Sequence, residues 1–427
     1  MERIIFILFS VFFTFQASYA QEVYKKKNVL KEVRAFNKSQ NYSKAADALD
    51  KAFTSHEAAR TDAELLNWAM NMQYQLTQQE NRKIYLNNNP DTARYFNTIL
   101  KVYNFGLACD SADNIPNQKG VVKPRYASNI GNKLFSTRNN LRSGGKFFYK
   151  QRKYAESYAL LDMYLQTLGH SLIATAAEKS GQLSTLDADS LEMARLAVVA
   201  AYGANQPANV LQHVATALRD TTNRQLIYEL QAKAYEQLGD SMQYLSTLHK
   251  AQQEFPLGQF FYSSLITYYN AHSDYNASLR IVNQLVQADD HNRTFWYLKG
   301  RIHQCLEQTD SAVHAYHQAI QIHPDDAESY AALGSVYLEQ AHSFYEQTNL
   351  RIGAKNYATN RRKLNAYYQN ARESYEQSRK YDELNKERWL EPLREIYFKL
   401  NMGRELRALE KTFPNPSIGG EGEEREE

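Results

Sequence analysis

The chain has 427 residues, of which 23% are charged and 43% hydrophobic, a balance typical of a folded protein rather than a disordered one. Nine prolines and 17 glycines are few for this length, and the scarcity of helix breakers favours long helices. The formal net charge of +3 is far below that of a nucleic-acid-binding surface, so nucleic acid is not expected as a partner.

The segment 1–20 has the pattern of a cleavable signal peptide. Arg3 precedes an apolar run at positions 4–15, and Ser18-Tyr19-Ala20 places small residues at the two positions that signal peptidase recognises. A permanent anchor is the alternative, but the uncharged stretch at positions 4–20 is at the lower limit of a membrane span. The pattern predicts an exported protein that is periplasmic, outer-membrane-associated or secreted, with no stable span after cleavage.

Residues 21–137 are predicted to form an N-terminal helical region. Residues 26–59 have the spacing of a short helix pair, and the side chains that show it are Phe36, Tyr42, Ala45, Leu49 and Ala52. Residues 60–137 keep a helical period until the turn-forming residues 114–120, which are followed by Pro124. A loop is therefore expected near residues 110–125.

The most informative feature is an internal sequence period of about 34 residues, which continues without a gap from residue 225 to residue 337. Two columns of aromatic residues recur with this period. The members of the first column are Tyr228, Tyr262, Trp296 and Tyr330. The second column follows the first by two helical turns, and its members are Tyr235, Tyr269, His303 and Tyr337. This agreement predicts one structural unit that is repeated along the chain.

One period, residues 293–326, predicts two helices. Trp296 and Gly300 fall on the same face of the first predicted helix, and Tyr316 belongs to the packing face of the second. Pro324 ends the second helix because proline cannot continue a helix interior. The small Gly300 lets the two backbones approach closely, while Trp296 and Tyr316 are expected to fill the space between the helices.

This pattern resembles the tetratricopeptide-repeat (TPR) family, whose unit is a helix–turn–helix of about 34 residues. Residues 294–300 are similar to the opening of the family's first helix, with Lys299 where a leucine usually precedes the glycine. The resemblance implies an all-α solenoid, a right-handed superhelix with one repeat of extended helices. It covers an array at residues 138–337, whose units are 138–171, 191–224, 225–258, 259–292, 293–326 and the start of a repeat at 327.

Two further departures from the period follow the loop near residue 110. A small, polar stretch at residues 172–190 separates two repeats. Residues 338–386 add length to the 327 repeat, with an apolar stripe on each side of Gly353, and predict an extended helical hairpin with Arg361-Arg362-Lys363 on its outer face. After it come predicted capping helices at residues 387–413 and a disordered, acidic tail at residues 414–427.

The sequence offers little that indicates catalysis. Residues 143–146 match the SxxK pattern of serine acyltransferases, but the partner motifs are absent and the stretch falls within a predicted helix. His314 and His317 have the spacing of metal ligands, yet no acid or cysteine is placed to complete a site. Cys109 and Cys305 are predicted to be isolated, mostly buried thiols. We therefore expect no enzymatic activity, no metal and no cofactor.

In TPR proteins the concave surface, built chiefly from first helices, binds partners, so the resemblance implies a non-enzymatic protein-binding scaffold or adaptor. The residues predicted to contact a protein or peptide partner are Arg142, Lys146, Tyr149, Lys150, Arg195, Tyr297 and Arg301. The basic residues of the 138–171 unit favour an acidic or C-terminal carboxylate segment as the ligand. The alternative is that these are ordinary solvated helix residues.

Together with the signal peptide, the resemblance is to exported envelope TPR proteins of Gram-negative bacteria. Two other interpretations stay open. One is an enzyme whose site is formed by the insertions at residues 110–137, 172–190 or 338–370. The other is a peripheral membrane protein that binds through the extended hairpin and Arg361-Arg362-Lys363.

Overall fold

The computed structural model describes residues 25–116, 119–182 and 189–414. In these ranges the chain forms twenty-one α-helices, two short 3₁₀ turns and no β-strand, so the predicted all-α helical-repeat fold is confirmed. The predicted signal peptide and most of the acidic tail lie outside the described residues. The chain divides into two units, Met1–Asp240 and Ser241–Glu427.

The first unit is a series of helices in which neighbours in sequence pack against each other. Its helices are α1 Lys26–Lys38, α2 Tyr42–Ser55, α3 Glu57–Arg60, α4 Ala63–Tyr85, α5 Thr92–Asp113, α6 Ala127–Lys150, α7 Tyr154–Gln166, α8 Ser171–Lys179, α9 Ser190–Gly203, α10 Pro207–Gln212, α11 Val214–Ala217 and α12 Arg224–Gln237.

Three details of the first unit differ from a regular repeat. Helix α6 begins well before residue 138, because the fully buried Ile130 and Leu134 continue its apolar face. Helix α8 covers most of the first half of the 172–190 segment, and it packs on α6 where Gly131 leaves room for the backbone. The second helix of the 191–224 unit is interrupted at His213, whose Nε2 lies 2.7 Å from Oδ1 of Asp162.

The second unit begins with a single helix, which is followed by two helix pairs of regular repeat length, a longer pair and a short terminal pair. Its helices are α13 Ser241–Glu254, α14 Gln259–Ala271, α15 Tyr275–Ala288, α16 Arg293–Cys305, α17 Thr309–Ile322, α18 Ala327–Gln347, α19 Tyr357–Tyr381, α20 Leu390–Lys399 and α21 Gly403–Thr412. A 3₁₀ turn at Lys386–Arg388 precedes α20. No described helix in either unit is both long enough and apolar enough to cross a membrane.

The two helices of a repeat meet where a glycine on the first helix faces a tyrosine ring on the second. A Cβ atom at Gly300 would lie 2.6 Å from Cε1 of Tyr316, far inside van der Waals contact. The same contact recurs in the next repeat, where a Cβ atom at Gly334 would lie 2.8 Å from the ring of Tyr375. Both rings are buried, so the absence of a glycine side chain is what lets each ring fill the space between the helices.

Trp296 does not fill that space as predicted, because its indole is only half-buried. Its Nε1 donates a hydrogen bond to the carbonyl of Asp290 at 2.8 Å, and the ammonium of Lys299 lies 5.2 Å from its ring centroid. Burial lowers the pKa of Lys299. The lysine at the position of the family's leucine is therefore accommodated by a cation–π contact at a partly open face.

The long pair forms a hairpin. Helices α18 and α19 contain 21 and 25 residues, whereas α16 and α17 contain 13 and 14. The connecting loop turns at Gly353, whose φ is +89°, a conformation that glycine adopts without strain. The base of the hairpin packs on α20 through Leu338, Tyr375 and the fully buried Trp389.

Replacing Gly300 with alanine is expected to lower the free energy of unfolding by up to about 2 kcal/mol, the balance of two effects. Moving the buried Tyr316 ring costs about 1–3 kcal/mol, and the better helix propensity of alanine offsets roughly 1 kcal/mol of that cost. Chemical denaturation followed by circular dichroism measures the change. Gly403→Ala is the control, since its Cβ would meet only the flexible Arg407 side chain at 3.4 Å. Equal losses in the two variants would show that the ring contact does not matter.

Acid is expected to destabilise the second unit through His303. This side chain is 8% exposed, its Nδ1 lies 2.7 Å from Oε1 of Gln308, and burial lowers its pKa from the ordinary value. The unfolded state therefore takes up the proton first. The stability that depends on neutral His303 is fully present above about pH 6.5, the ordinary histidine pKa. It decreases as the pH drops below that value.

Thermal melts of the wild type and of His303→Gln at about pH 7.5 and about pH 5.5 test this effect. The melting temperature of the variant should decrease less than that of the wild type between the two pH values, because glutamine cannot bind the proton. His291→Gln is the control, since the His291 side chain is exposed. If His303→Gln and the wild type lose the same amount, burial of His303 does not cause the acid sensitivity.

Candidate functional site

Five of the predicted partner-binding residues lie in the first unit. Arg142, Lys146, Tyr149 and Lys150 follow one face of α6 on successive turns, and Arg195 lies on α9. Lys150 is exposed, while the other four side chains are half-buried.

Three of these cations are paired with carboxylates of the chain itself. Arg142 bonds to Asp189, and Lys146 Nζ lies 2.8 Å and 2.9 Å from the two carboxylate oxygens of Glu192. Arg195 Nε lies 3.5 Å from Oδ2 of Asp220. The charge that this face offers to an acidic ligand is therefore smaller than the sequence alone suggests.

The remaining two residues of α6 differ in their surroundings. Tyr149 packs against the core of the first unit, and its ring contacts that of Tyr154 edge-on at 5.8 Å between centroids. Lys150 has no carboxylate partner among the residues that the structure describes. Tyr149 is thus partly a packing residue, and among the predicted α6 cations Lys150 is the one without a carboxylate partner in the described ranges.

Tyr297 and Arg301, in the second unit, line an open groove between α16 and α18, which we call the α16/α18 groove. Its volume is about 550 Å³. Its other lining residues are Gln304, Cys305, Glu328, Ala331, Ala332, Ser335, Glu339 and Arg388. The groove is formed by the first helices of two successive repeats together with the 3₁₀ turn that opens the terminal unit.

Gln304 organises the polar wall of the groove. Its Oε1 accepts a hydrogen bond from the Tyr316 hydroxyl at 3.1 Å. Its Nε2 donates to Oε1 of Glu339 at 2.7 Å and to Oγ of Ser335 at 3.2 Å. The Gly–Tyr packing contact is therefore connected directly to the groove, since the same Tyr316 that fills the repeat core orients Gln304.

Arg301 is the groove cation whose charge is not neutralised. Its Nη1 donates to the Tyr297 hydroxyl at 3.4 Å, and this hydrogen bond raises the pKa of Arg301. No described carboxylate lies within ion-pairing distance of Arg301. Arg388, on the same wall, is already bound to Asp382 at 3.0 Å.

A second cavity of about 550 Å³ shares Gln304 and Glu339 with the groove. It extends along α18 toward the connecting loop of the hairpin. Its further lining residues include Glu307, Ser343 and Phe344. The accessible face of α18 therefore continues for several turns, which is enough to contact an extended segment of polypeptide.

The catalytic and metal motifs find no support in the geometry of the described residues. Lys146 of the SxxK stretch is paired with Glu192 rather than with Ser143. Within the described ranges no group of three or more His, Cys, Asp or Glu side chains is placed to hold a metal ion. The ring of His314 instead contacts Trp296 edge-on at 6.2 Å.

The two cysteines are both free, and one of them departs from the prediction. Cys109 is buried, as expected, but Cys305 is exposed on the groove wall. Cys305 is the last residue of α16, so it lies beyond the part of the helix that packs in the repeat core.

A family model described as a TPR repeat matches residues 300–340. The matched range contains the second helix of the 293 repeat and the first helix of the 327 repeat as far as residue 340, which includes every α18 residue that lines the groove. The TPR resemblance of the array is thereby supported at the residues that form the groove. No curated protein matches the chain.

The solved structures similar to this chain include several TPR proteins of low identity. One is the C-terminal part of a TPR repeat-containing protein from Cytophaga hutchinsonii, with 12% identity, 65% of this chain and 97% of that chain covered, and a TM-score of 0.42. Another is a TPR protein from Parabacteroides merdae, with 13% identity, 62% and 99% covered, and a TM-score of 0.33. A TPR repeats protein from Bacteroides fragilis has 13% identity, 62% and 98% covered, and a TM-score of 0.31.

Proposed function

We propose that this chain is a non-enzymatic protein-binding scaffold that holds an extended segment of a partner protein in the α16/α18 groove. The observation that carries the proposal is the uncompensated Arg301 on the wall of an open groove. TPR domains bind proteins or peptides, and stacked helix repeats do so on surfaces of this kind.

The walls of the groove suit a polypeptide backbone. Ala331 and Ser335 are small and lie on successive turns of α18, with Ala332 beside them, so a bound chain can approach the helix closely. Gln304 and Glu339 hold polar atoms in fixed positions nearby. These groups can bond to the amides of an extended segment, which gives binding without strict dependence on its side chains.

The ligand that Arg301 favours is an acidic or C-terminal carboxylate segment. A guanidinium binds a carboxylate with two parallel hydrogen bonds, and no described carboxylate of the chain lies within ion-pairing distance of Arg301, although Glu328 and Glu339 line the same groove. In the first unit the equivalent predicted cations, Arg142 and Lys146, are occupied by Asp189 and Glu192. This difference favours the second unit as the principal site, with Lys150 as the available cation of the first.

The open form of the groove supports a scaffold over an enzyme. Of the three insertions, only 338–370 contributes to its lining, through Glu339, so residues from different insertions do not meet in it to build a closed pocket. The signal-peptide pattern of segment 1–20 supports a place for this scaffold in the cell envelope of a Gram-negative bacterium, in the periplasm or at the outer membrane.

Arg301→Gln is expected to weaken binding of an acidic peptide by about 10-fold to 100-fold, because a hydrogen bond to a charged group contributes about 1.5–3 kcal/mol. Partner segments are first captured from envelope fractions with the wild-type chain. The affinity of a labelled peptide of that sequence is then measured by fluorescence polarisation.

The matched control is the double variant Arg142→Gln/Lys146→Gln, which removes two cations from the first unit and leaves the groove intact. It should bind the peptide as the wild type does. If the double variant loses binding while Arg301→Gln keeps it, the basic face of α6 is the site and the groove is not. If neither variant changes the affinity, the proposal of an acidic ligand is wrong.

A further inference from the structure

We propose that the tip of the α18–α19 hairpin, residues 342–363, binds the surface of an anionic phospholipid bilayer. These residues are called the hairpin tip below. The proposal is independent of peptide binding in the α16/α18 groove, because the cations that carry it, Arg351, Lys355, Arg361 and Arg362, do not line the groove.

The hairpin tip contributes no fully buried residue to the core of the second unit. The last buried residue of α18 is Ala341 and the first of α19 is Leu364, and none of residues 342–363 is buried. Compared with α16 and α17, the two helices are longer by 8 and 11 residues, which corresponds to roughly 12–17 Å of extra length. Ordering this segment costs conformational entropy, and the small surface that it buries offsets little of that cost. We therefore infer that the segment contacts something outside the chain.

The charge of the tip is strongly one-sided. It has a single acidic residue, Glu346, and five basic residues, which are Arg351, Lys355, Arg361, Arg362 and Lys363. No described carboxylate lies within ion-pairing distance of any of these five. Elsewhere in the same unit, Arg293, Arg379 and Arg394 each pair with a carboxylate. The tip therefore presents an uncompensated positive surface.

An aliphatic side chain stands at the apex of this positive surface. Ile352 is 90% exposed and lies in the loop between Arg351 and Lys355, beside the turn at Gly353. A bilayer can receive Ile352 at the boundary of headgroups and acyl chains while the surrounding cations bind lipid phosphates. A nucleic acid would use the cations but would leave Ile352 without an apolar partner, which favours the lipid surface over a nucleic acid.

The strength expected of this contact is that of a reversible association. Each basic residue near an anionic surface raises the affinity about fivefold, and four of them raise it about several-hundred-fold. A single isoleucine is too small to anchor the chain, so binding should depend on anionic lipid and should weaken as salt screens the charges. The tip would then bring the scaffold to a membrane surface without a transmembrane segment.

Sedimentation of the full chain with lipid vesicles tests the proposal. Vesicles of phosphatidylcholine alone are compared with vesicles that also contain phosphatidylglycerol. The tip variant Arg351→Gln/Lys355→Gln/Arg361→Gln/Arg362→Gln should lose most of the binding that phosphatidylglycerol adds, by about a hundredfold or more. Ile352→Asn should weaken it by about tenfold, the contribution of burying one aliphatic side chain.

The matched control is Lys27→Gln/Lys31→Gln/Lys38→Gln/Lys44→Gln, which removes the same charge from four exposed residues of the first unit. It should bind vesicles as the wild type does. Both quadruple variants should melt at the wild-type temperature, since neither alters a buried residue. They should also bind the groove peptide normally, which separates this proposal from the previous one.

The proposal is overturned if the tip variant binds phosphatidylglycerol vesicles as tightly as the wild type. It is also overturned if the control variant loses as much binding as the tip variant, because net charge alone would then explain the association. A third contrary outcome is tip-dependent binding to RNA or to polyglutamate with no binding to vesicles, which would identify a different macromolecular partner.

Discussion

The close approach of paired helices at a glycine that faces an aromatic ring is the contact on which the second unit depends. Gly300 and Gly334 are one sequence period apart, yet the rings they face, Tyr316 and Tyr375, are separated by much more than one period. The crossing point is therefore kept although the helices beyond it differ in length. This is why one repeat can carry a long hairpin while α18 still packs beside α16 and forms a wall of the groove.

The contact also connects the core to the surface. The ring of Tyr316 is fully buried, but its hydroxyl reaches Gln304, which in turn holds Glu339 and Ser335. A helical repeat has few loops with which to position polar groups, so it uses residues next to the packing columns. The hydrogen bonds from Tyr316 through Gln304 to Glu339 and Ser335 thereby extend the rigidity of the repeat core to the polar wall of the groove.

The period in the sequence was sufficient to predict the repeat array and to select Tyr297 and Arg301 as groove residues. The same period relates these residues to the opposite wall, because Ala331 and Ser335 lie one full period after Tyr297 and Arg301. The early start of α6 was signalled by Ile130 and Leu134, which continue the helical spacing of Leu141. Periodic features are recoverable from one sequence because each repeat predicts the next.

The ion pairs of the first unit could not be predicted in this way. Asp189 lies near the end of the 172–190 insertion, which has no counterpart in other repeats, so its position beside Arg142 depends on how the insertion folds. The half-buried state of Trp296 depends similarly on the neighbouring repeat, which leaves that face partly open. Charge counts along a helix thus give the residues that could bind a ligand, while the three-dimensional partners decide which of them are available.

The unequal positions of the two thiols have a practical consequence. Burial raises the pKa of Cys109 to about 12, so that thiol is protected from alkylation in the folded chain. Cys305 is exposed, and it lies where a bound partner would cover it. The folded protein therefore carries a natural attachment point for a single spectroscopic label, placed so that occupancy of the groove can be followed without adding or removing a cysteine.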